Sequence, residues 1–276
     1  MLFDSHAHIN DEELTEEQRQ ELIKEIEASD LSYVMDVGFD FPSSLQAVKD
    51  AAANSWCYAA IGCHPHDTDS MDEEQLLLYK GLAQKDKVQA IGEIGLDYHY
   101  DNSDRDNQRE WFRKQIRLAN ELKMPIVIHS RDAEEETMNI LKEEGAFSDE
   151  RKSWFPERTG PDGEKLPDAG VLIHCFSGSR ETARQYVKLG ATISICGPVT
   201  FKNNRKTREV VVDTPIEFLL VETDSPYMAP EPKRGRQNKP FYVEYTARKV
   251  AELKEMDYDE VARITCANAK RFFNIK

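Results

Sequence analysis

The chain has 276 residues, 39% of them hydrophobic and 32% charged, with a formal net charge of −15. This is the composition of a folded chain with a large core, and no apolar run approaches the ~18 residues that a membrane helix needs. The acidic excess excludes a surface coated in nucleic acid, though not local basic contacts.

Eight short runs rich in Val, Ile and Leu alternate along the chain with segments of helical period. They are 2–6, 33–38, 57–62, 88–93, 125–129, 170–174, 191–197 and 216–222. Between them, 104–122 and 179–189 repeat apolar residues at helical spacing, and 257–275 reads as a last helix. Short buried strands alternating with helices imply parallel strands joined by right-handed crossovers. Eight such units predict a (β/α)8 TIM-type barrel with an additional C-terminal helix, one domain over 1–276. The stretch 145–169 is irregular, rich in Gly, Pro and charge. It falls between a helix and a strand, so it is expected as a surface insertion on the face opposite the site. The N-terminus lacks the basic and apolar segments of a secretion signal. Cys57, Cys63, Cys175, Cys196 and Cys266 are irregularly spaced, mostly within apolar runs. They read as buried thiols of a cytoplasmic protein rather than as disulfides.

The seven histidines are not scattered. His6 and His8 end the first strand, His129 the fifth and His174 the sixth, while His64 and His66 follow the third. Glu93 ends the fourth strand and Asp224 follows the eighth. In a parallel barrel all strand C-termini open on one face, so these residues meet at one mouth. Side chains two apart on a strand point the same way, so His6 and His8 can grip one ion. Imidazole and carboxylate suit Zn, Mn, Fe, Ni or Co, and Mg stands among the candidates as well. Six candidate ligands, His6, His8, Glu93, His129, His174 and Asp224, are too many for one tetrahedral site and suit two divalent ions bridged by Glu93. His64 is expected to contact substrate. His66 stands as either a phosphate contact or a more remote neighbour, and His99 reads as a surface residue.

In this order and at these strand ends, DSHAHIN, GCHPHD, AIGEIGLDYHY, IHSRDA, IHCFSGS, GPVTFKN, VETDSPYMAP and RGRQNKP resemble the TatD family of metal-dependent deoxyribonucleases, within the amidohydrolase superfamily. The resemblance implies a divalent-metal phosphodiesterase acting on DNA. It places His6, His8 and Asp224 on one ion, His129 and His174 on the other, and Glu93 on both. Asn10 departs from the aspartate that the family often carries there. The bridging carbamylated lysine of many amidohydrolases is replaced by Glu93, which leans toward the TatD branch. An alternative on the same barrel is hydrolysis of another ester or amide, such as an aminoacyl-tRNA ester.

The expected chemistry is attack by a metal-activated water, with Asp224 accepting its proton and Glu222 and Ser225 orienting Asp224. Arg131 is placed either to fork onto a phosphate oxygen or to pair with Asp132 or the acidic run 134–136. Two basic segments follow the seventh and eighth strands, 202–208 and 233–239, with four basic and no acidic residues each. Lys202, Arg205, Lys233 and Arg236 in them are the candidate track for a DNA backbone, with solvated loop charge as the other reading. No membrane contact and no obligate protein partner are expected.

Overall fold

A computed structural model describes residues 1–276. Its strands are β1 (Leu2–Ala7), β2 (Leu31–Val37), β3 (Cys57–Ile61), β4 (Val88–Asp97), β5 (Ile126–Arg131), β6 (Arg158–Thr159), β7 (Lys165–Leu166), β8 (Val171–Ile173), β9 (Thr192–Ile195) and β10 (Leu219–Val221). All but β6 and β7 form one parallel sheet in the order β1-β2-β3-β4-β5-β8-β9-β10. The ends of that sheet meet. Asp224 N–H donates to the His6 carbonyl at 2.9 Å and His8 N–H to the Ser225 carbonyl at 2.8 Å, which brings the two edges together as a barrel.

Around it lie α1 (Glu16–Glu27), α2 (Phe41–Ala53), α3 (Glu73–Leu82), α4 (Arg105–Leu122), α5 (Glu134–Glu143), the single turn α6 (Asp149–Lys152), α7 (Arg180–Leu189), α8 (Arg205–Asp213), α9 (Val243–Lys254) and α10 (Tyr258–Phe272). Their starts are written in the sequence. Thr15 and Gln18 exchange hydrogen bonds as a capping box on α1, and Asp40, Asp72, Asp104, Ser179 and Asp257 accept backbone N–H groups at other helix N-termini. The α4 face that buries Trp111, Phe112, Ile116 and Ala119 packs outside the barrel.

The barrel interior is a separate cluster. Phe3, Met35, Ala60, Ala90, Val127, Leu172 and Leu220 each come from a different strand. The last helix does more than cover the wall. Phe272, Phe273 and Ile275 join the interior cluster, and the Phe273 ring lies 6.0 Å from that of Phe3 near the start of β1. The chain's C-terminal end therefore closes the barrel at its strand starts and leaves the opposite end to polar groups.

Several strands differ in extent from the sequence expectation. Strand β4 runs on to Asp97 rather than stopping at Glu93, and residues 216–218 form a 3-10 turn after Pro215, so β10 begins at Leu219. The stretch 145–169 holds α6 and the β6–β7 hairpin. Two fully buried arginines fix it. Arg151 donates to the carbonyls of Met124 at 2.9 Å, Ala169 at 2.9 Å and Gly170 at 3.1 Å. Arg158 pairs with buried Asp168 at 2.7 Å and donates to the Gly190 carbonyl at 3.0 Å. These acceptors lie at or just before the starts of β5, β8 and β9, the ends of those strands remote from His129 and His174.

Candidate metal centre

Strand β1 and the residue just after it deliver His6 and His8 through an irregularity. Its pairing with β2 shifts register between Asp4 and Ala7. Adjacent residues then both reach the interior: the Ser5 hydroxyl meets that of Ser194 at 3.1 Å, and His6 faces Glu93. His6 and His8 Nε2 lie 3.3 Å apart. His6 Nε2 is 3.4 Å from Glu93 Oε2 and 3.7 Å from Asp224 Oδ1; His8 Nε2 is 3.9 Å and 3.4 Å from the same atoms. Donors bound about 2.0–2.1 Å from one tetrahedral ion sit about 3.3 Å from each other, so this spacing suits a metal site.

The other oxygen of Glu93 faces a second group. Oε1 lies 2.6 Å from His174 Nε2, 2.8 Å from His129 Nδ1 and 3.7 Å from His64 Nε2, and His174 Nε2 is 3.4 Å from His129 Nδ1. One carboxylate therefore divides its two oxygens between two histidine clusters. All six candidate ligands come together, and His64, expected against substrate, stands beside Glu93 and His129 as well.

Electrostatics follow the crowding. Burial, with the neighbouring imidazoles, pushes His6 and His64 below the usual histidine range. Burial also works to lower His8, but Asp224 beside it outweighs that and holds it up at about 9. Burial opposes ionisation of Glu93, yet the surrounding histidines carry its carboxyl well below the usual range. Such a nest of neutral or neutralisable imidazoles around ionised carboxylates is a donor set for a hard-to-borderline divalent cation.

Behind the donors stand carboxylates that aim them. Asp97 Oδ2 lies 3.0 Å from both His129 Nε2 and His66 Nε2, while its Oδ1 accepts the N–H groups of His99 and Tyr100 at 3.0 and 2.9 Å. With Nε2–H given to Asp97, His129 turns Nδ1 toward Glu93, a carboxylate–histidine–metal arrangement. The sequence pattern alone does not single out Asp97. It sits on the same strand face as Glu93 with Gly95 between, a period-two signal hidden because the run GEIGLD reads as the end of a strand. A Cβ on Gly95 would collide with the His129 carbonyl oxygen, so only glycine lets β4 and β5 close here.

Glu222 acts elsewhere than expected. Its Oε1 accepts the Cys175 N–H at 2.5 Å and lies 3.5 Å from His174 Nδ1, so it orients His174 rather than Asp224. Ser225 uses its backbone to close the barrel and donates N–H to the Thr223 hydroxyl at 3.1 Å. Asn10, where an aspartate was the expected family residue, donates its amide to Asp36 at 2.8 Å and to the Val37 carbonyl at 3.0 Å. Burial raises Asp36 well above the usual carboxylate range, and a second acid at position 10 would add to that crowding.

The remaining residues lie farther out. Arg131 pairs neither with Asp132 nor with the acidic run 134–136: its guanidinium sits 4.6 Å over the Tyr100 ring, while Asp132 takes His99 at 3.0 Å. Lys202 and Arg236 are exposed, Arg205 opens α8 and pairs with Glu209 at 2.6 Å, and Lys233 lies 5.1 Å over the Tyr242 ring. All four follow the C-terminal ends of β9 and β10, on the side of the metal centre.

The family model described as TatD related DNase matches residues 3–274. The chain belongs to the TatD family. Among TatD relatives, the uncharacterized metal-dependent hydrolase YabD of Bacillus subtilis (strain 168) is 46% identical over 275 residues, covering 100% of both chains. The protein named 3'-5' ssDNA/RNA exonuclease TatD from Citrobacter koseri is 31% identical over 279 residues, covering 99% of each. The solved structure of YJJV, a TatD homolog from Escherichia coli K12, superposes with a TM-score of 0.84 at 23% identity, covering 100% of this chain and 98% of that one. The barrel is thus the TatD barrel, and the protein is a metal-dependent hydrolase of that family.

Proposed function

We propose that the protein is a divalent-metal-dependent phosphodiesterase that hydrolyses DNA, acting on single strands or ends. The observation that carries the reading is the division of Glu93 between two histidine clusters, with Oε2 facing His6 and His8 and Oε1 facing His129 and His174. His6, His8, Asp224 and Glu93 would hold one divalent ion, and His129, His174 and Glu93 the other. Bound there, two such ions supply Lewis acidity and lower the pKa of a water from about 15.7 toward 7. The chain's own groups do the rest. Asp224 lies at the mouth with Oδ1 toward His6 and His8 and is held ionised: burial raises its pKa, and His8 with the other histidines lowers it further than burial lifts it. An ionised carboxylate there accepts the water's proton. Asp97 and Glu222 keep His129 and His174 facing inward. Arg131, exposed beside the centre, and the basic residues Lys202, Arg205, Lys233 and Arg236 draw a phosphate backbone toward an otherwise acidic surface. The name of the Citrobacter koseri relative supports a nucleic-acid substrate.

The test is incubation of purified protein with end-labelled single-stranded DNA, with and without chelator, alongside elemental analysis. Metal-dependent cleavage is expected, with two ions per chain, and Asp224→Asn retains metal but loses turnover. Near wild-type turnover by Asp224→Asn at matched metal content refutes the proton-acceptor role. A metal-loaded protein inert on every DNA substrate refutes the nuclease reading.

A further inference from the structure

A cleft of 180 Å³ opens directly beside His8. Its walls are α1, through Leu14 just before it and Gln18, Glu21, Leu22 and Glu25 on it, and the segment after β10, through Ser225, Pro226, Gln237, Asn238 and Lys239. A second opening, against His174, encloses only 10 Å³. The nuclease mechanism above uses none of the groups lining it other than His8.

The polar groups of the cleft separate into engaged and free. Lys239 is ion-paired to Glu25. Asn238 commits its amide N–H groups to the carbonyls of Thr223 at 2.8 Å and Tyr227 at 2.6 Å, which fixes the wall. Gln18 accepts the Thr15 N–H through Oε1, leaving its Nε2 donor free. Glu21 and the Gln237 side chain make no hydrogen bond or ion pair. The free edge is therefore one carboxylate, one full amide and one amide donor, with Leu14 and Leu22 as apolar lining. Lys239 is neutralised by Glu25 and His8 faces Asp224 at 3.4 Å, so the one charge left without a partner is the Glu21 carboxylate. Such a cleft repels phosphate and favours a flat, neutral ring whose rim carries both N–H donors and acceptors.

We propose that this cleft receives the base of the nucleotide whose phosphodiester lies at the metals, and selects bases that carry an exocyclic amino group. The inference rests on the nucleic-acid reading of the metal centre. Carboxylates accept from the amino group of cytosine, and glutamine amides pair with base edges that offer a donor and an acceptor. Thymine has no amino group for Glu21 to accept from. A base held here must leave its stack and its partner, so the cleft also favours single strands over duplex.

Two homopolymers, oligo(dC) and oligo(dT) of equal length, test this without regard to the direction of cleavage. Both are cut with metal present, and kcat/KM is compared within each protein, so that each variant is its own control. The wild type is expected to favour oligo(dC) by about tenfold, the lower end of what one good base contact discriminates. In the double variant Glu21→Ala, Gln237→Ala, both exposed positions, the ratio falls toward one. Equal cleavage of both polymers by the wild type, or a preference that survives the double variant, overturns the base site and leaves the nuclease reading standing. A wild type that hydrolyses a small chromogenic phosphodiester but cuts neither polymer refutes the nucleic-acid reading and the base site with it.

Discussion

Replacing Asp97 by Asn separates the two halves of the metal centre. The carboxylate meets four N–H groups: the imidazoles of His129 and His66 on Oδ2 at 3.0 Å each, and the backbone of His99 and Tyr100 on Oδ1 at 3.0 and 2.9 Å. An asparagine has one acceptor end and one donor end, so in either orientation its NH2 group confronts a pair of donors. If the amide turns toward the loop, His99 and Tyr100 lose their anchor; if it turns toward the ring, His129 must change tautomer and loses its aim at Glu93. A hydrogen bond to a charged group contributes about 1.5–3 kcal/mol, which is roughly 10–100-fold in an equilibrium constant. Asp97 touches neither His6 nor His8. Graded chelator in equilibrium dialysis, followed by elemental analysis, should therefore show one ion leaving at about 10–100-fold weaker chelation than in the wild type, and the other shifting far less. Two release steps that match the wild type, or that move together, refute the assignment of Asp97 to the His129 cluster.

Protons compete with metal for the same nitrogens. Burial lowers His8, His129 and His174, but Asp224 holds His8 up at about 9, Asp97 raises His129, and Glu93 raises His174 well above the usual range. Metal affinity in a competition titration should therefore climb as pH rises from about 6.5 toward 9; a flat profile contradicts this. Arg158→Ala leaves buried Asp168 with Arg271 at 3.4 Å and the Gly170 N–H at 2.9 Å, so the cost is at the low end for a broken buried pair, about 3 kcal/mol, read as a fall of roughly 6–12 °C in Tm with metal content unchanged. Neutralising Lys202, Arg205, Lys233 and Arg236 together in the Asp224→Asn background should flatten the log–log salt dependence of single-stranded DNA binding by about 0.7 for each phosphate left without a cation, and an unchanged slope removes these residues from the DNA path.

Most of the barrel could be read from the chain because its strands are buried on both faces and its helices carry their own caps. His6, His8, Glu93, His129, His174 and Asp224 could be expected at one mouth because a parallel barrel puts all strand ends together, and the structure brings them together there. What stayed hidden depends on tertiary contact. Asp97 required knowing that β4 continues past Gly95. His64 lies in a loop whose fold back toward Glu93 is fixed by its N–H on the Phe39 carbonyl at 2.7 Å, a long-range hydrogen bond that no local pattern announces. Glu222 was paired in expectation with its neighbour Asp224, but side chains two apart need not share a target once the chain leaves the strand. The last helix could be read from its period, but that Phe272 and the Phe273 after it enter the barrel's interior cluster is a tertiary contact the local pattern does not carry.

The buried arginines of 145–169 bind the strand starts, while everything that would hold metal or meet substrate lies at the strand ends. Anchorage and chemistry thus occupy opposite poles of one short barrel, with no residue of either set among the partners of the other. Changes at distant, unshared sites combine almost additively, within about 0.3–0.5 kcal/mol. The segments after β9 and β10, and the first turns of α1, can accordingly drift in sequence and explore new ligands without loosening the arginine clamp, and the clamp can be tightened without disturbing what the mouth recognises. A lineage built on this plan can change its diet without renegotiating its stability.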